Sequence, residues 1–138
     1  MIAKENQAVH TLDAHISKKG NGSDDLLVAR VKNASDKKVK MYIVAFCAYD
    51  KDGKRVQMSS KATSDEPADY VRCQNKNASI APGKTGGGSY GWAINAGIAD
   101  KISTLESCII SVQYEDGTKW ENPYYSFWCS DNGIIDNQ

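Results

Sequence analysis

The sequence predicts an all-β protein built as an antiparallel sandwich, and three features carry that expectation. Apolar residues recur in short runs with period-two alternation and with little helical spacing. Turn-forming clusters at Asn33 to Lys38, Asp50 to Lys54, Ile80 to Thr85 and Glu115 to Thr118 separate these runs, at intervals that leave no room for interleaved helices. The stretch from Met41 to Tyr49 contains no Gly, Pro, Asp, Asn, Lys or Glu, which marks a buried strand.

The elements follow in order. Ala8 to Ser17 alternates, with Leu12, Ala14 and Ile16 on one side and Thr11, Asp13 and His15 on the other, as in a half-buried first strand. The polar run Lys18 to Asp25 turns the chain into a second strand, Leu26 to Lys32, and Asn33 to Lys38 turns it into the third, Val39 to Tyr49. Asp50-Lys51-Asp52-Gly53 forms a tight turn into a short return strand, Lys54 to Met58. Ser59 to Ala78 lacks clean periodicity, and an excursion of that length is functional, mobile or stapled. Pro82-Gly83 suits a type II turn, Tyr90, Trp92 and Ile94 alternate after it, and Ala96 to Lys101 is one helical turn. Ser107 to Tyr114, the Glu115-Asp116-Gly117-Thr118 turn and Trp120 give the strongest hairpin signal, and Tyr124 to Cys129 reads as a final strand or strap. The result is about seven or eight strands in an immunoglobulin-like sandwich, with a closed small barrel as the alternative.

With 138 residues the chain suits a single domain over 1–138, with 1–7 an N-terminal extension and 130–138 a polar tail. Lys plus Arg and Asp plus Glu number 17 each, so no global field draws the molecule to nucleic acid or anionic lipid. No window reaches the roughly 18 to 20 apolar residues of a membrane helix, and the first residues lack the apolar core of a signal peptide. Export would therefore require a leader that this chain does not carry, with Met1 a non-native start.

Cys47, Cys73, Cys108 and Cys129 contain no C-x-x-C pair, which with two histidines disfavours zinc and thioredoxin-like chemistry. They are disulfide candidates, with at least one bridge expected and three pairings open. The sequence-local pairing, Cys47 with Cys73 and Cys108 with Cys129, would stabilise by about 3 kcal/mol per bridge. Four reduced, mostly buried thiols are the alternative.

Phe46-Cys47-Ala48-Tyr49-Asp50, followed by Lys51-Asp52-Gly53 and preceded by Val31-Lys32-Asn33-Ala34-Ser35, resembles the bacterial FxLYD domain. In that family a G-x-V-x-N-x-S strand leads to a Phe-x-Leu-Tyr-Asp strand and a D-G turn; here Ala48 stands in place of the Leu. Ile80-Ala81-Pro82-Gly83-Lys84-Thr85 is similar to a later step of the same family, so the likeness spans roughly residues 26 to 112. Tyr114 to Tyr124 resembles the close of Ig-like domains in Gram-positive envelope proteins. The resemblance implies an exported, often membrane-tethered accessory module without known catalysis, and it assigns no functional residues.

Chemical motifs are sparse. Asp50-Lys51-Asp52-Gly53 begins like an EF-hand loop, but Lys61 stands where the bidentate Glu is required, so it is a turn. His10 and His15 lie on opposite faces of a strand and are expected to be exposed. No nucleophile elbow or cysteine-protease signature is present, and Thr85-Gly86-Gly87-Gly88-Ser89 lacks the Lys-Ser/Thr of a phosphate loop, so its glycines serve close strand approach. Asn21-Gly22-Ser23, Asn33-Ala34-Ser35 and Asn77-Ala78-Ser79 are glycosylation sequons that composition alone would also supply.

Two features remain as candidate ligand sites. Aromatic residues concentrate in the last third, where Trp120, Tyr125 and Trp128 could stack on sugar or peptide; the plain alternative is core packing. The 59–78 excursion carries Asp65, Glu66, Asp69 and Tyr70, a mixture suited to recognition by a loop on a rigid scaffold. The sequence thus predicts a noncatalytic extracellular or cell-envelope interaction module, with no cofactor or metal and with a protein or glycan partner at the cell surface. The alternatives are a carbohydrate-binding module, or a fibre or surface-layer subunit that self-associates through edge strands. A cytoplasmic location is the alternative to the envelope.

Overall fold

A computed structural model describes residues 7–18, 25–59, 67–94 and 96–135. Two antiparallel sheets face one another and remain separate, so the fold is the expected sandwich and not a closed barrel. In the first sheet, β2 (Asp25–Asn33) is central, with β1 (Val9–Ser17) on one side and β6 (Thr85–Gly86) and β7 (Gly91–Ile94) in succession along the other. In the second, β3 (Val39–Tyr49) is central. It pairs along its whole length with β8 (Thr104–Tyr114), which continues to β9 (Lys119–Glu121). On its other side β3 pairs with β4 (Arg55–Val56) and β5 (Val71–Asn75).

The long apolar strand explains this arrangement. Alternate residues of β3, Tyr42, Val44, Phe46 and Ala48, point between the sheets and meet Leu27, Ala29 and Val31 of β2 in the main core. The intervening Ala45 and Cys47 point outward, yet they are also buried, because a second small cluster covers them. That cover is α2 (Tyr125–Asp131), so the expected final strand is instead a helix. Asn122 Oδ1 accepts the main-chain N–H of Tyr124 at 3.0 Å and starts the turn. Gly133, at φ 65°, ends it: Ile134 N–H donates to Cys129 O and Gly133 N–H to Ser130 O, a Schellman closure. Ile134 is buried, so the packed structure continues past residue 130.

Local departures have local causes. The β1–β2 register slips between Thr11 and Asp13, and the extra residue, Leu12, is turned out to 45% exposure while Thr11 is buried. His10 is buried too, against the expectation, with Nδ1 3.2 Å from Gln7 O; His15 is exposed as expected. The single helical turn is α1 (Ala96–Ala99). The glycine-rich run does serve close approach: a Cβ on Gly87, at φ 82°, would lie 2.7 Å from Tyr42 Oη.

The disulfide expectation is corrected. All four cysteines are buried and none is bridged. Cys73 lies opposite Val44 and faces the main core, whereas Cys47, Cys108 and Cys129 share the outer cluster beneath α2, so the sheet itself separates Cys47 from Cys73. Cys108 lies opposite Ala45, diagonal to Cys47, and diagonal neighbours sit roughly 7–8 Å apart, beyond the span of a disulfide.

Candidate functional site

Two connections and a short strand meet at one end of the sandwich and enclose a groove of about 920 Å³. The β3–β4 turn contributes Asp50, Lys51 and Asp52; β4 and the residue after it contribute Arg55, Val56 and Gln57; and α1 contributes Ile98 and its link to β8 Asp100, Lys101, Ile102 and Ser103, with Asp69 at the rim. Val56, Ile98 and Ile102 supply apolar surface, and both signs of charge line the edges. The position follows from the hairpin chemistry. Asp50 Oδ1 accepts the main-chain N–H groups of Asp52 at 2.8 Å and Lys54 at 3.0 Å, and Gly53 takes φ 79°, so the chain reverses tightly. The Lys54 N–H, then that of Asp52, hold the Asp50 carboxyl below its ordinary range against the opposing effect of burial.

Three of the remaining charged residues, Asp100, Arg55 and Asp69, are engaged. Lys18 Nζ lies 2.7 Å from Asp100 and 3.1 Å from the buried Asp25, and these bonds, that to Asp100 foremost, raise the Lys18 pKa. Arg55 Nη1 donates to Asp69 O at 3.2 Å and stands 3.9 Å from the Asp69 carboxylate, while Gln57 Nε2 donates to that carboxylate at 3.3 Å. Arg55 Nη2 donates to Tyr49 Oη and to Asn132 O, and its guanidinium lies 5.1 Å over the Tyr49 ring. Tyr49 Oη donates to Asn132 Oδ1 at 2.6 Å, which ties the end of α2 to the rim of the groove.

Of the candidate ligand residues that lie among the described residues, only Asp69 lines this groove. Asp65 and Glu66 lie outside the described residues. Tyr70 packs at the margin of the outer cluster. The three aromatic candidates do not form one platform. Trp120 is half-buried against the main core, Trp128 is buried under α2, and Tyr125 stacks on Trp128 with ring centroids 5.9 Å apart. Phe127, at 52% exposure, is the ring that α2 turns outward. Cys47 and Cys73 are held as thiols by burial, with pKa values pushed up to about 11 and about 12. Sequence reasoning missed Arg55, Lys101 and Asp100, although the Asp-Lys-Asp-Gly turn marked the place where they assemble. Of the sequons, Asn33 is fully buried and its side chain is committed to hydrogen bonds, while Asn77 is exposed.

A family model matches residues 26–133, a span that contains the groove and α2. The chain belongs to DUF5780, a family of unknown function. No curated protein matches it. The fold of this DUF5780 chain is similar to that of a hypothetical protein from Peptoclostridium difficile 630, known from an X-ray structure. The TM-score is 0.70 at 14% identity, with 96% of each chain covered, a likeness of fold alone.

Proposed function

We propose that this DUF5780 chain is a noncatalytic interaction module of the extracellular space or bacterial cell envelope, holding a protein or glycan partner in the end groove. The observation that carries the reading is the groove itself: an open recess built from two connections and a short strand on a rigid sandwich, with apolar surface between charged edges. Its charged groups support binding over catalysis. Asp50 is committed to its own turn, Asp100 to Lys18 and Arg55 to the end of α2, so each already has a structural task. The likeness of Phe46 to Gly53 and Val31 to Ser35 to the FxLYD domain supports the envelope setting. No helix among the described residues is long and apolar enough to cross a membrane.

The test is co-sedimentation with purified Gram-positive sacculi, with an unrelated neutral β-sandwich as control. Wild-type protein is retained, and the double variant Asp52→Lys with Lys101→Glu, which reverses the charge pattern of the rim, loses about tenfold in affinity, equivalent to about 1.4 kcal/mol. Retention no greater than the control refutes the wall-facing form of this reading, and retention undiminished in the variant refutes the groove as its site. Intact mass of the protein from its native source reports leader processing and so tests export separately.

A further inference from the structure

Arg55 belongs to two structures at once. It lines the groove, and it fastens α2 through Asn132 O and Tyr49 Oη, with Asn132 Nδ2 donating onward to Trp128 O at 2.9 Å. Its ion pair is loose and one of its hydrogens is unmet. The Asp69 carboxylate, 3.9 Å from Nη1 and half-exposed, is beyond hydrogen-bonding distance. Among the described residues the buried Nε–H has no acceptor. Guanidinium groups pair best with a carboxylate that takes two parallel N–H bonds, here Nε–H with one Nη2–H, a planar two-point contact that an ammonium cannot offer. Four carboxylates line the groove with Arg55: Asp50 is engaged by main-chain N–H groups, Asp100 by Lys18 and Asp69 by Gln57, and Asp52 shares the rim with the cations Lys51 and Lys101.

The geometry points to a carboxylate-bearing ligand, such as the C-terminus or an acidic side chain of a peptide, received by Arg55, with release of α2 as the consequence. This rests on the groove being the binding site proposed above and names the chemistry it takes. The coupling follows from hydrogen-bond supply. Both Nη2 hydrogens are spent, on Tyr49 and Asn132, so a two-point carboxylate must displace one of them and draw the buried Nε–H toward the groove. The guanidinium turns away from Asn132 O as it does so, and the C-terminal end of α2 is loosened over Cys47 and Cys108.

The experiment is an NMR titration of ¹⁵N-labelled protein with N-acetyl-alanyl-alanine and, separately, with its C-terminal amide, both carried to millimolar concentration, where weak single-contact ligands bind. The acid, but not the amide, moves the Arg55 Nε–H resonance and the amides of Tyr49, Asn132 and Trp128, and it speeds hydrogen exchange across residues 125–134. Arg55→Lys keeps the charge without the planar fork and loses the acid-specific response. Tyr49→Phe frees one Nη2 hydrogen for the acid, so it keeps the acid-specific shifts and shrinks the added exchange across residues 125–134. Equal shifts with acid and amide overturn the carboxylate chemistry while leaving the groove as a site. Acid-specific shifts with unchanged exchange in 125–134 overturn the coupling. Shifts with neither probe overturn the inference whole, and sacculus binding then judges the groove independently.

Discussion

Replacing Asn33 with alanine should cost about 3 kcal/mol of folding stability, because one fully buried side chain there organises two turns. Asn33 Nδ2 donates to Lys37 O at 2.8 Å and to Ile80 O at 2.9 Å, and Oδ1 accepts Ser35 N–H at 3.0 Å and Ser35 Oγ–H at 2.6 Å. Each bond contributes about 1 kcal/mol net, so the four together set an upper figure of about 4 kcal/mol. The loss falls short of that because Ile80 O keeps the Val39 N–H, and the Ser35 hydroxyl, released from Asn33, turns its one hydrogen to Lys37 O. Equilibrium urea unfolding reads the effect directly. With a slope of about 1.5 kcal/mol/M, the midpoint falls by about 2 M at unchanged slope. Ser35→Ala, which removes one hydroxyl bond to Asn33 and leaves the Ser35 N–H bond in place, shifts it by less than half as much. Asn33→Asp loses more than alanine, since it sets a buried carboxylate against the Lys37 and Ile80 carbonyl oxygens. A midpoint shift under about 0.5 M for Asn33→Ala, or an aspartate variant as stable as wild type, refutes the hub role.

Gly87→Ala and Gly117→Ala both place a side chain at positive φ, 82° and 88°, but only Gly87 would set a Cβ against Tyr42 Oη and Ala29 O, while Gly117 faces open space. Unfolding titrations should therefore show a loss of about 1 kcal/mol at Gly117 and at least about twice that at Gly87. A disulfide-exchange reagent should modify none of the four buried thiols faster than the protein unfolds, and all four in urea. The same thiols set an alkaline limit. Folded pKa values near 11 and 12 for Cys47 and Cys73 lie above the ordinary value of 9.0, so the unfolded chain gives up protons first. Their contribution is whole below pH 9.0 and is lost as pH rises through about 11 to 12, which chemical denaturation at stepped pH reads as a falling midpoint. Gly133→Ala strains the Schellman closure, costs about 1 kcal/mol and shifts Trp128 emission to the red as α2 frays.

The sandwich was legible because its strongest signals are one-dimensional. Met41 to Tyr49 is apolar on both faces, and β3 is the strand that both the main core and the cover of α2 bury. The Asp50 to Gly53 and Glu115 to Thr118 turns carry aspartates that bond their own main chain, so their geometry is written into adjacent residues. Leu12 was placed on the wrong side because a bulge reverses parity beyond it, and no residue between Val9 and Ser17 announces the slip. The thiol error has the same root: two cysteines close in sequence, Cys47 and Cys73, lie on opposite faces of one sheet, and register alone decides that.

The groove and α2 were less legible for a different reason. Tyr124 to Cys129 alternates well enough to pass for a strand, and the mark of a helix lay beyond it, in Asn132-Gly133, the capping pair that closes the last turn. Missing that cap also misplaced the aromatics, since on a helix Tyr125 and Trp128 share a face, whereas on a strand they would part. Once α2 is a helix, the outward small residues of β3 and β8 have a cover, and the cover has to be fastened at its end. Asn132 stands there, 77 residues from Arg55 along the chain. A contact of that separation leaves no local pattern, which is why the residue joining the groove to its neighbouring helix emerges only from the packed chain.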